Sequence, residues 1–141
     1  MKDILKDIMT QEVECATPDM SVQEAAEIMK NKDIGSLPVC EGRKVTGIVT
    51  DRDITIRGVA EKRDLATTKV SELMSRDVVS VREDAGLKDA ERVMSDRQLR
   101  RLPVVDAKGE ITGYLTLAKV ARQDSAARVG DVIKGVSRKS A

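Results

Sequence analysis

The apolar positions along the chain change period several times, and each change marks an element. In "SVQEAAEIMK" the residues Val22, Ala25, Ala26, Ile28 and Met29 fall on one stripe of a helix. Ser21 stands just ahead of the stripe with Glu24 three residues on, the spacing of a capping box. Around this helix the pattern shortens. "VECA" before it reads as a short strand, and "SLPVC", "EGRK" and "VTGIVT" after it read as a strand, a turn and a strand, a hairpin. Proline in "LPV" lacks a ladder donor, which predicts a strand edge or start. A closing helix is expected to open at Thr50. The predicted order is β-α-β-β-α.

The same pattern then returns. Ile8–Val39 aligns with Leu73–Val104 without a gap, with identities at Met9/Met74, Val13/Val78, Asp19/Asp84, Ala25/Ala90 and Met29/Met94. Leu37-Pro38-Val39 matches Leu102-Pro103-Val104. One extra residue in the turn "DAKGE" shifts the frame, after which Thr46, Gly47 and Thr50 match Thr112, Gly113 and Thr116. The second helical stripe is Leu87, Ala90, Val93 and Met94, and "VVSV" is its preceding strand. Self-similarity of this extent sets the architecture: an α/β chain of two β-α-β-β-α units.

The repeat divides the chain into residues 1–64, a first unit with an N-terminal helical segment, and 65–125, a second unit. Residues 126–141 remain as a short docking turn and a frayed tail, "SRKSA". The linker between the units is roughly "GVAEKRDLATT". A smaller motif occurs three times, as "LKDIM", "VSELM" and "VGDVI". It predicts a single docking turn of helix before each unit and one more at the C-terminus.

Composition narrows the function. Of 141 residues, 40% are hydrophobic and 35% charged, the balance of a soluble globular chain. Lys and Arg number 25 against 24 Asp and Glu, a net charge of +1, so any anion has to be gripped locally rather than drawn by a broad field. Tyr114 is the sole aromatic residue, which argues against base-stacking nucleic-acid platforms. No apolar run approaches the ~18–20 residues that span a bilayer, and "MKDILKDIMT" lacks a signal-peptide core. The cytoplasm is the expected location. Histidine is absent, which removes the commonest acid-base group and the commonest metal ligand. An enzyme is disfavoured, and no metal site is expected.

A tandem β-α-β-β-α repeat, with "LPV" on the second strand and "G-h-h-T-x-x-D" closing the third, resembles a CBS-domain pair, or Bateman module. "DIGSLPVC" and "GIVTDRDI" further resemble small stand-alone pairs of the hypoxic-response and stress type. The resemblance implies two units packed face to face through their sheets with pseudo-twofold symmetry. It also implies a non-catalytic regulatory role and clefts for adenosine-containing ligands: AMP, ADP, ATP, NAD or S-adenosylmethionine. No cofactor is required beyond such a ligand, whose identity is open. A homodimer and an unknown effector protein are the implied partners, with neither nucleic acid nor membrane.

Carried onto this sequence, the resemblance makes Thr50 and Asp53 the ribose pair, with Ile48 bordering the base and Leu99 and Arg100 of the other unit lining its slot. An ionised carboxylate only accepts, so it suits the two hydroxyls of a ribose. Yet Thr50-x-x-Asp53 is also an ordinary cap, and the two roles can coexist. In the second unit Thr116 keeps the cap, while Lys119 stands where Asp53 did and cannot accept from a diol. That cleft is either empty or uses Lys119 with Arg100 and Arg101 for phosphate. Arg100 and Arg101 replace Gly35 and Ser36, and they also read as solvent-facing arginines at a strand start. Cys15 and Cys40 end the first two strands of one unit. They read as small half-buried hydrophobes or as a redox pair. A structural or adaptor role without nucleotide is the rival reading.

Overall fold

Both stretches of helical period become helices of 11 residues in the computed structural model of the protein. The structure describes residues 4–123 and 126–137. In chain order the elements are α1 (Leu5–Ile8), α2 (Val22–Lys32), β1 (Ser36–Glu41), β2 (Lys44–Thr50), α3 (Asp51–Asp53) and a π-helical turn (Ile54–Val59). The chain continues with α4 (Val70–Leu73), β3 (Val81–Arg82), α5 (Leu87–Arg97), β4 (Arg101–Val105), β5 (Ile111–Thr116), α6 (Leu117–Gln123) and α7 (Ala126–Ser137). These elements make a mixed α/β protein of two units. A continuous unit comprises Glu14–Val78, and a split unit joins the residues up to Val13 with those from Val79 onward.

In the continuous unit, β1 and β2 pair antiparallel, with a bulge between Val39 and Cys40. Pro38 sits within the strand rather than at its end, opposite Ile48. It is tolerated because the ladder needs no donor there. Ile48 turns its own N–H and C=O outward to Ser75, at 3.0 and 2.9 Å, and the Pro38 carbonyl accepts from Ala16 N at 2.9 Å. α2 covers this hairpin with Val22, Ala25 and Met29, and Leu37, Val39 and Val49 are wholly buried beneath it. Full burial of one such Leu or Val side chain contributes about 1.5–3 kcal/mol.

The N-terminus of α2 illustrates how its loose ends are tied. The Ser21 hydroxyl accepts from Glu24 N at 3.1 Å. Val22 N and Gln23 N donate to the carbonyls of Thr68 and Leu65, so the expected linker is in fact packed onto the helix start. At the far end Asp33 takes the left-handed conformation (φ 54°) that stops the helix.

In the split unit, β3, β4 and β5 form one sheet, with β3 parallel to β4 and β4 antiparallel to β5. Ile111, Gly113 and Leu115 of β5 are buried in strict alternation with half-buried Thr112, Tyr114 and Thr116. α5 supplies Leu87, Ala90 and Met94 to the core, and α7 supplies Val132 and Val136. Val93, like Ile28 in the other unit, packs partly buried at the core's margin.

Four expectations are corrected. The strand at "VECA" shrinks to one parallel bridge, Ala16 to Val39, and that at "VVSV" to the two residues of β3. The helix after Thr50 is α-helical for three residues and then widens into the π-turn, where Ala60 N reaches Thr55 O. The third small motif is part of a 12-residue helix, not a single turn. Residues 138–141, most of the expected tail, lie outside the described residues.

The fourth correction concerns the docking turns, which serve the other repeat. α1 precedes the first repeat but packs in the split unit, where Leu5, Ile8 and Met9 join the core and Thr10 bridges Tyr114. α4 precedes the second repeat but packs in the continuous unit, where Val70, Leu73 and Met74 are buried. The units therefore cut the chain differently from residues 1–64 and 65–125. The shared glycine explains the fit. A Cβ on Gly47 would lie 2.6 Å from Met74 Sδ, and one on Gly113 would overlap Met9 Sδ.

Candidate functional site

The end of β2 in the continuous unit carries the residues singled out from the sequence. Thr50 is extended (φ −119°, ψ 163°), and the chain turns immediately into α3. Its Oγ1 accepts from Asp53 N at 3.0 Å, while Thr50 N donates to Asp53 Oδ2 at 2.9 Å. This reciprocal cap fixes the Asp53 carboxylate beside the strand end, half-buried. A carboxylate has roughly four acceptor positions, and the cap uses one. Ile48, half-buried, is two residues back along β2.

The neighbouring strand closes the same corner. Ser36 is the register partner of Thr50, and Gly35 O accepts from Asp51 N at 2.9 Å. A Cβ on Gly35 would come within 3.0 Å of Asp51 Oδ2, so glycine here leaves room for that carboxylate. Asp51 was missed in the sequence, although it lies inside the quoted motif and aligns with Leu117. The contrast between a carboxylate and an apolar residue at matched positions was the available signal.

The split unit repeats the corner with other chemistry. Thr116 Oγ1 accepts from Lys119 N at 3.1 Å, and Leu117 N donates to Arg100 O at 2.8 Å. Arg101 is the register partner of Thr116. Arg100 is exposed, and Arg101 and Lys119 are half-buried. Leu99 packs against the unit's own core. The structure thus gathers Arg100, Arg101, Thr116 and Lys119 at one strand end, a basic corner where the continuous unit has two acids, Asp51 and Asp53.

The two cysteines meet at the opposite end of the β1–β2 hairpin. The Cys40 thiol donates to Cys15 Sγ at 3.4 Å, and both are free. That hydrogen bond holds the Cys15 thiol below the usual thiol range, against the opposing effects of burial and Glu14. The same bond, with burial, pushes Cys40 far above it. A cavity of about 240 Å³ lies elsewhere, lined by Glu91, Arg92 and Ser95 of α5 and by Asp131 and Val132 of α7. None of these residues belongs to either corner.

A family model described as the CBS domain matches residues 5–59 and 70–125. The chain belongs to the CBS-domain family. CBS domain-containing protein YhcV of Bacillus subtilis (strain 168) is 38% identical over 137 residues, which cover 96% of each chain. Hypoxic response protein 1 of Mycobacterium tuberculosis, solved with two coordinated zinc ions, superposes with a TM-score of 0.76 at 35% identity. The match covers 86% of this chain and 98% of that one. CBSX2 from Arabidopsis thaliana, solved in complex with AMP, gives 0.73 at 32% identity, over 86% and 95% of the two chains. The match runs nearly end to end in each case, so the resemblance is to stand-alone CBS pairs. The zinc is a property of the mycobacterial protein. Among the described residues here, no group of three or more His, Cys, Asp or Glu is placed to hold a metal. No helix among them is long and apolar enough to cross a membrane.

Proposed function

We propose that the protein is a non-catalytic regulatory module that binds an adenosine-containing ligand. The Thr50–Asp53 corner carries this reading: it presents a fixed, ionised acceptor at a strand end, in a family where CBSX2 holds AMP. Asp53 takes the ribose hydroxyls and Ile48 borders the base. In the split unit, Arg100, Arg101 and Lys119 take phosphates beside Thr116, with Leu99 an apolar flank. Charge-assisted bonds of this kind contribute roughly 1.5–3 kcal/mol each.

The module works as a homodimer in the cytoplasm and passes its ligand state to an effector protein. Calorimetry with adenosine, AMP, ATP, NAD and S-adenosylmethionine tests the ligand class, and sedimentation tests the dimer. One observation favours an adaptor role without nucleotide: Thr50 and Asp53 already satisfy each other's backbone amides. Absence of heat with every adenosine ligand would put that second reading ahead.

A further inference from the structure

The fold itself does not call for a thiol pair. Ala16 bridges Val39 in the continuous unit as Val81 bridges Val104 in the split unit, so Cys15 and Cys40 correspond to Ser80 and Val105. The split unit builds the same junction, bulge included, from a hydroxyl and an isopropyl group. The continuous unit instead places two sulfurs 3.4 Å apart. Cys40 follows the bulge directly, as Val105 does in the split unit, so the sulfur pair is set by residue identity rather than by a different backbone. A disulfide needs about 2.05 Å, so the sulfurs have to close by a little over 1 Å.

We infer that Cys15 and Cys40 form a modification site for small-molecule disulfides, at which the two thiols are converted into one intramolecular disulfide. The exposures assign the order of events. Cys15 is partly exposed and can reach a disulfide in solvent, while Cys40 is 3% exposed and cannot. The Cys15 thiolate attacks one sulfur of the disulfide RSSR, whose S–S bond breaks, and the departing thiolate takes up a proton as RSH. Cys40 then loses its proton and attacks the Cys15 sulfur of the mixed disulfide, expelling a second RSH. Two protein thiols are oxidised, and one RSSR is reduced to two RSH.

The low thiolate range of Cys15 favours the first step, and contact with Cys40 favours the second. The product staples the segment before α2 to β1. That segment is otherwise held there by two backbone hydrogen bonds, Ala16 N to Pro38 O and Cys40 N to Ala16 O. Register puts the staple next to the Glu41–Lys44 end of the hairpin, away from the Ser36–Thr50 end. It therefore stands apart from the nucleotide reading.

The test uses the full-length reduced protein and oxidised glutathione. Both thiols should disappear together, with the mass falling by two hydrogen atoms and no covalent dimer. Tm should rise by about 5–10 °C. Cys40→Ser should stop at a single glutathionyl adduct, and Cys15→Ser should react only after unfolding in denaturant. Two thiols that persist in excess oxidised glutathione would overturn the inference, as would a lasting adduct on the parent protein. So would a Cys15→Ser variant that reacts as fast as the parent, or a disulfide that leaves Tm unchanged. None of these readouts involves a nucleotide, so their failure is separate from failure of the ligand reading.

Discussion

The Thr50 hydroxyl and the Asp53 carboxylate each accept the other residue's backbone N–H, at 3.0 and 2.9 Å. The matching pair in the split unit keeps only half of this: Thr116 Oγ1 accepts from Lys119 N, and a lysine has nothing to return. The divergence between the repeats is thus a loss of one acceptor at a strand end whose backbone course is preserved. It separates a structural role, which both threonines perform, from an acidic one, which Asp53 alone can perform.

Asp53→Ala should therefore lose two things. Removing the cap acceptor should cost about 1 kcal/mol of stability, read from urea unfolding. Leaving a ribose diol without its ionised acceptor should cost roughly 2–4 kcal/mol of binding, or about 30- to 1,000-fold in affinity. Asp53→Asn separates the two, because its amide oxygen still accepts from Thr50 N. It should keep most of the stability and lose most of the affinity. Full affinity in Asp53→Asn would remove the carboxylate from the ligand site.

The glycines beneath the docking turns give a stability prediction with an internal control. The nearest atoms to a Cβ on Gly113 all belong to the Met9 side chain. On Gly47 they include the Ser75 carbonyl oxygen at 2.9 Å as well as Met74. Either Gly→Ala change should cost about 1–3 kcal/mol from overpacking. Double-mutant cycles should then differ. Met9→Ala should relieve Gly113→Ala, with a coupling of about 0.5–3 kcal/mol, whereas Met74→Ala should relieve Gly47→Ala less, since backbone cannot yield. Equal couplings would mean that the Ser75 carbonyl moves freely.

How far all this was legible differs by scale. The helices were plain because Val22, Ala25 and Met29 recur at helical spacing behind a Ser21 cap, and Leu87, Ala90 and Met94 repeat them. The exchange of docking turns was not, because "LKDIM" and "VSELM" present similar buried side chains, each ending in a methionine that meets an equivalent glycine, Gly113 or Gly47. Either could seat on either hairpin, and only long-range packing decides. The strand at "VECA" reduces to one bridge at Ala16, whereas the split unit, with the matching bulge at Val104/Val105, keeps the two-residue β3. At the candidate site, the cap could be read from Thr50 and Asp53. The approach of Gly35 to Asp51 could not, since it joins the residue just before β1 to the one that opens α3.

Acid should weaken the continuous unit through Glu72. Its carboxylate accepts from Lys69 N at 2.8 Å and from Arg63 at 2.9 Å. These bonds hold it below the usual carboxylate range, the backbone one contributing most. A depressed folded pKa means the contribution is present above the unfolded value and disappears as pH falls through the folded one. Urea midpoints should therefore decline as pH falls through and below the ordinary carboxylate range, and Glu72→Gln should make that decline shallower. Identical slopes for parent and variant would assign the acid sensitivity to other carboxylates.

The basic corner predicts a ligand dependence that the acidic one does not share. Lys119 contributes its backbone N–H to the Thr116 cap, so Lys119→Ala preserves that bond and removes only the side chain. Losing a cation from the first turn of α6 should even stabilise the helix start, by about 0.3–1 kcal/mol. Any loss of binding in Lys119→Ala then reports on charge toward the ligand. Arg101, the cross-strand partner of Thr116, is tested the same way with Arg101→Ala. Both variants should weaken ATP and ADP more than AMP, and adenosine least, because the number of phosphate charges changes along that series. The differences should shrink as salt rises from low ionic strength toward physiological, where the screening length falls to about 8 Å. Calorimetry on parent, Lys119→Ala and Arg101→Ala at two salt concentrations makes the comparison. An equal loss for adenosine and ATP at Lys119, with Asp53→Ala silent for both, would remove the phosphate role from Lys119 and the ribose role from Asp53.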